Sequence, residues 1–378
     1  MQNSHPQYEV VVIGAGIAGT VLTHLLLQDN INTLLIGKAD NPAIKLAESL
    51  PPSARPMLER LGLSDFFLAH QPSSGYQSIW GNEHIRQAGF EARPSLIGTT
   101  VETGWKVDKT LLIQQIQAVL PQNSISTANV KSIDVATDGH TIYLDNGSQP
   151  VRATLVVDAT GRQGLLSRQL GLTSHQFDQL LAYTVNVPII NHPEINQPVF
   201  IEAFEQGWGL VSKLDDKHNV LSLFTNKNSG LMAQLKNWKN WQHLTQHTKY
   251  FKHFIPTEDE YNVHCLNASS RIAAKLNADN WLLIGDAAMS FDPLSSHGMT
   301  TAIYTAEHAA KALSKARDKP FGNATDCLND YAKKMTDIYN TYLNELVALY
   351  RLESRWSDCG FWQSKQNLIV GESPAVVA

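Results

Sequence analysis

The sequence predicts a two-lobed α/β chain of 378 residues: a parallel sheet flanked by helices, a second and mostly antiparallel sheet, and helices at the C-terminal end. Three observations predict it. Val10 to Ile13 form a short apolar run that turns through Gly14-Ala15-Gly16-Ile17-Ala18-Gly19 into helix-spaced apolar positions, the strand-turn-helix opening of a dinucleotide-binding unit. Two later apolar runs, Thr154 to Val157 and Trp281 to Ile284, end at Asp158-Ala159-Thr160-Gly161 and at Gly285-Asp286. Between those runs, stretches of alternating apolar and polar residues are separated by turn residues, which marks an antiparallel lobe.

Composition narrows the function classes. With 43% hydrophobic and 17% charged residues the chain can bury a large core, and its length exceeds one typical domain. A net charge of −5 without runs of like charge gives no basic footprint, so nucleic acid is not an expected partner. Cys265, Cys327 and Cys359 are odd in number and far apart, which favours free thiols in a reducing compartment over a disulfide framework or a zinc site. Met1 to Gln7 is too short and polar for a signal peptide, and no apolar run reaches the roughly 18 residues of a membrane span. A cytoplasmic protein without a membrane partner is expected.

In the opening motif Gly14 permits the tight turn, Gly16 lets the backbone approach a pyrophosphate at the helix N-terminus, and Gly19 lets that helix pack on the sheet. The helix runs through Ala18, Val21, Leu22, Leu25 and Leu26. Ile31 to Ile36 read as the second strand, whose end usually carries an acid for ribose hydroxyls. Gly37 and Lys38 stand there instead, leaving Lys38 to meet a phosphate, Asp40 to replace the acid, or a solvated loop. Ala47 to Pro52 read as a loop able to cover a cofactor, followed by a short helix through Met57, Leu58 and Leu61 that ends at Gly62. Residues 73–90 leave the first lobe as irregular strands. Asp108 is placed to cap a helix through Leu111, Leu112, Ile116 and Val119. Residues 126–157 read as three strands, the first two joined by a longer loop at Asp138-Gly139 and the next by a hairpin turn at Asp145-Asn146-Gly147. Strands follow over 181–188, 199–204, 207–214 and 220–225, then a surface helix around Trp238, Trp241 and His243. Gly298 opens a helix of small residues, and Tyr331, Met335, Ile338, Tyr342, Leu346 and Tyr350 mark a long amphipathic one. Expected domains are 1–72, 101–172 and 263–320 for the dinucleotide lobe, 73–100 and 173–262 for the second lobe, and 321–378 for a C-terminal helical segment.

The GAGIAG turn, the DATG at 158–161 and LIGDAAMSFDPLSSHG at 283–298 together resemble the FAD-dependent group that includes aromatic hydroxylases, geranylgeranyl reductases and tryptophan halogenases. The resemblance implies a Rossmann-like FAD-binding domain of glutathione-reductase type, aromatic-hydroxylase-like, beside an antiparallel substrate domain. AESLPPSARPMLERLGL at 47–63, DPLSSHG at 292–298 and YRLESRWSDCGFW at 350–362 look most like the tryptophan-halogenase-like branch. By this resemblance Gly14, Gly16 and Gly19 cradle the FAD pyrophosphate, Gly285 and Asp286 bind the cofactor with Asp286 accepting from a ribityl hydroxyl, and Pro293 lies near the reactive edge of the isoalloxazine. The amides around Ser296 to Gly298 would stabilise negative charge at the N1–C2 carbonyl of reduced flavin. Lys109 stands where relatives carry an arginine near the cofactor, although the two side chains are not equivalent.

Two departures bear on the chemistry. Halogenases of the branch carry a lysine that relays hypohalous acid within a phenylalanine-lysine sequence, whereas Ser73 to Trp80 contain no lysine. They also carry a tryptophan-x-tryptophan-x-isoleucine-proline motif, and the comparable stretch here is Gly207-Trp208-Gly209-Leu210-Val211-Ser212. Halogenation is therefore disfavoured. The resemblance then implies a monooxygenase whose flavin C4a-hydroperoxide attacks an electron-rich aromatic ring. The SLPPSARP, SSHG and RW…FW stretches are similar to a sub-branch acting on a tryptophan of a companion oxidase while its cysteine tryptophylquinone is built. The implied partner is the precursor of a quinone-containing oxidase, and an open cleft is expected. With one dinucleotide fingerprint, either NAD(P)H visits transiently or a reductase supplies electrons. His297 leads the candidates for the base, followed by His84 and Glu202, for which an exposed polar strand residue is the competing reading. The alternatives are an FAD-dependent reductase or dehydrogenase of an apolar or isoprenoid molecule, and a non-catalytic escort protein without flavin.

Overall fold

The computed structural model describes residues 7–38, 44–89, 92–95, 98–101, 103–257, 260–317 and 325–368; Asp40 lies outside them. Its centre is the strand Gln7–Ile13, in which Val10, Val11 and Val12 are wholly buried. This strand pairs in parallel with Thr33–Ile36 on one side and Val151–Asp158 on the other. Such strands are apolar on both faces because helices cover them, and here helix Ile17–Gln28 packs against helices Lys109–Ala118 and Gly298–Ala316. Ile125–Ser126 extends the sheet in parallel beyond Thr33–Ile36, and Trp281–Leu283 pairs in parallel with Val151–Asp158. Val130–Ala136 and Gly139–Leu144 form an antiparallel pair joined by a tight turn at Thr137-Asp138, shorter than the loop expected.

The second sheet runs in the order His264–Asn267, Leu180–Pro188, His218–Asn226, Gly207–Lys213, Val199–Phe204, Gly75–Ile79, Arg86–Gly89. Its pairs are antiparallel except that between Val199–Phe204 and Gly75–Ile79. His264–Asn267 belongs to this sheet, pairing with Leu180–Pro188. The tryptophan-rich stretch is a set of short helical turns rather than a surface helix. Its glutamines and asparagines face outward, while Trp238 and Trp241 pack with Phe200, Phe251 and Phe254 in a core of their own.

A small antiparallel sheet, Glu48–Leu50 with Gly104–Val107 and Gln71–Ser73, lies at the seam of the lobes. The stretch expected as a loop at 47–52 thus contains a strand, because its backbone groups find partners on Gly104–Val107. The register sets Ser49 opposite Lys106. Asp108 caps helix Lys109–Ala118 by accepting from the Leu111 amide, as its position in the sequence suggested. Helix Thr325–Arg351 buries Tyr331, Met335, Tyr342, Leu346 and Tyr350 along one face, and helix Gly360–Gln366 folds back with Trp362 and Lys365 wholly buried. The three cysteines are free. No helix among the described residues is long and apolar enough to cross a membrane.

Candidate functional site

The glycine turn and the DATG turn nest against each other. Gly14 has φ +111°, and a Cβ there would come within 2.3 Å of the Ala159 carbonyl oxygen, so only glycine allows the approach. Asp158 builds the second turn, accepting from the Thr160 amide at 2.8 Å, the Thr160 hydroxyl at 2.6 Å and the Leu166 amide at 2.8 Å. Helix Ile17–Gln28 begins at Gly16 with no side-chain cap and no acidic residue in its first turn, and nothing lies within 4 Å of a Cβ built on Gly16. First-turn amides lack partners within the helix and carry the positive end of its dipole, so this end is fitted to a phosphate. The donor set and the open ground over Gly16 fit a dinucleotide pyrophosphate.

At the end of the second strand the missing acid has a steric reason. A Cβ on Gly37 would lie 2.6 Å from the Ala15 nitrogen and 2.9 Å from its Cβ, so no side chain fits where the chain passes the glycine turn. Lys38, beside it, faces Asp145 across 3.6 Å. The pair lines a polar cleft of about 410 Å³ together with Ser126, Thr127, Ala128 and Asn146. The Asp145 carboxylate, hydroxyls and an amide are available there for the nucleoside end of a dinucleotide without an acid at position 37.

Asp286 follows the strand Trp281–Leu283 in a short turn whose Gly285 amide donates to the Thr305 hydroxyl at 3.0 Å. Its carboxylate lies 3.5 Å from Arg162 Nε, while 40% of its side chain stays accessible. Burial raises the Asp286 carboxyl above the usual carboxylate range, and Arg162, Lys109 and Arg271 oppose the rise. Arg162 also donates to the Ser269 carbonyl at 2.7 Å and the Phe291 carbonyl at 3.2 Å, and Arg271 donates to the Arg162 and Asp286 carbonyls at 2.8 and 3.3 Å. These two arginines knit the loops that carry Asp286 and Pro293.

Glu48 shares this field. Burial raises its carboxyl, Lys109 and Lys106 oppose the rise, and Asp286 adds to it. The structure therefore brings Lys109 into the electrostatic neighbourhood of Asp286. Lys106 is buried on the adjacent strand, donating to Ser49 Oγ at 3.0 Å and to Ser212 Oγ of the second sheet at 2.7 Å. Burial pulls its ammonium down to about 8, against the attraction of Glu48.

The turn after Phe291 is held by Asp292, whose carboxylate accepts from the Leu294 amide at 3.0 Å. Ser296 adopts φ +54°, and His297 occupies the N-cap position of helix Gly298–Ala316 without a side-chain cap bond. Pro293, Ser296, His297 and Gly298 are all exposed, presenting the helix N-terminus outward. Surrounding protein lowers the His297 imidazole below its usual value, with Glu345 opposing, so the ring is mainly neutral at pH about 7.

The other two base candidates lie elsewhere. His84 is exposed in the bend after Trp80, not on a strand. Glu202 is buried rather than exposed: its carboxylate accepts from the amides of Lys249, Tyr250 and Phe251, the last two at 3.0 and 2.7 Å. Three amide donors make it the clamp of that turn. Sequence reasoning missed Glu48, Lys106, Arg162 and Arg271. Arg162 adjoins the DATG turn and was findable by that adjacency; Arg271 and Lys106 carry no local signal.

Residues 7–336 match the family described as FAD binding domain. Among curated proteins the chain is 26% identical over 372 residues to the FAD-dependent oxidoreductase LodB of Marinomonas mediterranea, covering 95% of this chain and 96% of LodB. Among solved structures it resembles the flavin-dependent halogenase CmlS with a TM-score of 0.78 at 20% identity, covering 97% of this chain and 68% of that one. It also resembles the peptidyl tryptophan dihydroxylase QhpG, described as essential for tryptophylquinone cofactor biogenesis, with a TM-score of 0.70 at 18% identity, covering 95% and 79%. At these identities the structures speak to the fold. The family model spans most of the chain, so the chain belongs to the FAD binding domain family and is an FAD-dependent oxidoreductase.

Proposed function

We propose that the protein is a monooxygenase that hydroxylates an electron-rich aromatic ring, specifically a tryptophan side chain of a partner protein, the precursor of a quinone-containing oxidase. The observation that carries this reading is the resemblance, over 95% of this chain, to the peptidyl tryptophan dihydroxylase QhpG. The likeness to LodB over 95% of this chain supports flavin-dependent oxidoreduction, and the activity of QhpG on a peptidyl tryptophan supports the substrate class. The lysine-free segment Ser73 to Trp80 disfavours halogenation.

Bound and reduced, FAD supplies the activation of oxygen. The chain's own groups do the rest. The first turn of helix Ile17–Gln28 holds the pyrophosphate with Gly14, Gly16 and Gly19, while Lys38 and Lys109 add positive charge. Asp286, in the turn that Gly285 opens, would accept from a ribityl hydroxyl. Of the amides at Ser296 to Gly298, those of Ser296 and His297 donate within the turn to the Pro293 carbonyl and Ser295 Oγ, so the Gly298 amide at the helix N-terminus would stabilise negative charge on the ring system, with Pro293 nearby. Neutral His297 accepts the proton released as the aromatic ring is hydroxylated. Electrons come from NAD(P)H or a separate reductase, and the reaction takes place in the cytoplasm. The two lobes divide the work as 1–72, 101–172 and 263–320 for FAD and 73–100 with 173–262 for substrate, with 321–378 as a C-terminal helical segment.

The test is isotopic. Enzyme, a reducing source, ¹⁸O₂ and a candidate oxidase precursor are combined, and tryptic peptides are read by mass spectrometry. Heavy oxygen on a tryptophan-containing peptide supports the reading. Oxygen consumption without incorporation, or a halogenated product when halide is supplied, overturns it.

A further inference from the structure

Lys365 is a wholly buried lysine on helix Gly360–Gln366, beyond the family match at 7–336. Its ammonium lies 3.0 Å from Asp292 Oδ2 and 3.0 Å from Asp178 Oδ2, both carboxylates also being buried. Asp292 immediately precedes Pro293, and side chains from two helices, Thr325–Arg351 and Gly360–Gln366, bond it directly. Its Oδ2 also accepts from the Tyr350 hydroxyl at 2.8 Å, and that hydroxyl accepts from Trp208 Nε1 at 3.2 Å. Its amide donates to the Tyr342 hydroxyl at 2.7 Å, which shares a bond with Ser270 Oγ at 2.7 Å. Asp178 stands at the entry to the second sheet, accepting from the Leu180 amide at 3.1 Å.

We propose that Lys365 is a positioning residue for the flavin-facing turn: it holds Asp292 ionised and in place, so that the Pro293 to Gly298 segment keeps its shape. This rests on the reading that the turn faces the flavin. Two carboxylates cannot both stay ionised in a dry site without a cation between them. Burial and Asp178 raise the Asp292 carboxyl while Lys365 pulls it back, and burial of Lys365 is outweighed by the two carboxylates, which keep it charged. The titratable and charged groups facing Asp292 are Lys365, Asp178, Tyr342 and Tyr350, with Arg162, Arg271 and Tyr339 a layer further out. Without Lys365, Asp292 keeps its place only by taking up a proton. FAD binding then becomes coupled to protonation, lost as pH rises.

The experiment titrates FAD into flavin-free protein by fluorescence between about pH 6 and about pH 9. Wild type and Lys365→Arg should give profiles that coincide. Lys365→Met should bind FAD well in acid and lose about tenfold in affinity per pH unit above the Asp292 pKa. A triple variant with Lys365→Met, Asp178→Asn and Asp292→Asn carries none of the charges and should lose that extra pH dependence. A Lys365→Met profile parallel to wild type overturns the proposal, as does a loss the triple variant retains. Should Lys365→Met not fold, the same titration is made on Lys365→Met with Asp178→Asn, which leaves Asp292 ionisable without its cation: affinity lost as pH rises supports the proposal, and a profile parallel to wild type overturns it. Gly298→Val, which leaves the Lys365 contacts intact, separates the two readings. If it leaves flavin absorbance and reduction potential unchanged, the turn does not face the flavin and the underlying reading fails; if it shifts them while Lys365→Met behaves as wild type, only the present proposal fails.

Discussion

Adding one methyl group at Gly37 tests why this chain lacks the usual ribose acid. The Cβ of Gly37→Ala would sit 2.6, 2.9 and 3.4 Å from the nitrogen, Cβ and Cα of Ala15, where carbon contacts are comfortable at about 3.5–4.0 Å. Gly37 does not have a positive φ, so alanine would otherwise gain about 0.4–1 kcal/mol by stiffening the unfolded chain. The opposing atoms belong to the backbone of the glycine turn and cannot rotate away, and such overpacking costs about 1–3 kcal/mol. Sterics win. The net loss should be about 1–2 kcal/mol, and displacement of the turn should weaken FAD binding by about tenfold for each 1.4 kcal/mol transmitted to it. Gly16→Ala is the matched comparison. With nothing within 4 Å of its Cβ and φ −76°, it should leave the flavin-free protein as stable as wild type or slightly more so, yet weaken FAD binding by filling the ground over the pyrophosphate cradle. Urea denaturation of flavin-free protein and fluorescence titration with FAD measure the two quantities. A Gly37→Ala protein as stable as wild type with equal FAD affinity would refute the steric account, and a Gly16→Ala protein with undiminished affinity would refute the cradle.

Glu202→Gln removes the charge that gathers three amides; it should cost about 1.5–3 kcal/mol in thermal or urea unfolding while leaving turnover per folded enzyme unchanged, and a selective loss of turnover would return Glu202 to the list of bases. Because surrounding protein lowers the His297 imidazole, a base role predicts that activity falls as pH drops through a pKa under the usual histidine value and is level above it; His297→Gln should abolish this acid limb, and a mutant that keeps the limb places the base elsewhere. Lys106, pulled down to about 8 by burial, binds its proton less tightly folded than unfolded. Its contribution therefore makes stability increase with pH between about 8 and 10.5, by about 3 kcal/mol. Lys106→Met should flatten that rise, and a mutant whose stability still climbs over the same window would show that the lysine is not desolvated.

Local features were legible because local rules govern them. The Gly14 to Gly19 turn, the Asp108 cap and the apolar periodicity of the 325–351 helix each depend on residues a few positions apart, and each lies where spacing predicted. The strand at Glu48–Leu50 was read as loop because a three-residue strand has no periodicity and exists only through its pairing with Gly104–Val107. Glu202 looked like an exposed strand residue because its three amide partners lie nearly fifty residues along the chain.

By itself the sequence determined the fold class, the dinucleotide turn and the position of Asp286 at a strand end, since glycine placement and apolar runs constrain the backbone directly. Only the tertiary structure decided why Gly37 replaces an acid, which charges surround Asp286, and that Lys365 reaches Asp292 across seventy-three residues of chain. Those are contacts between distant segments. Their energies depend on burial and on which carboxylate meets which cation, and neither is fixed until the lobes and the last helix have packed.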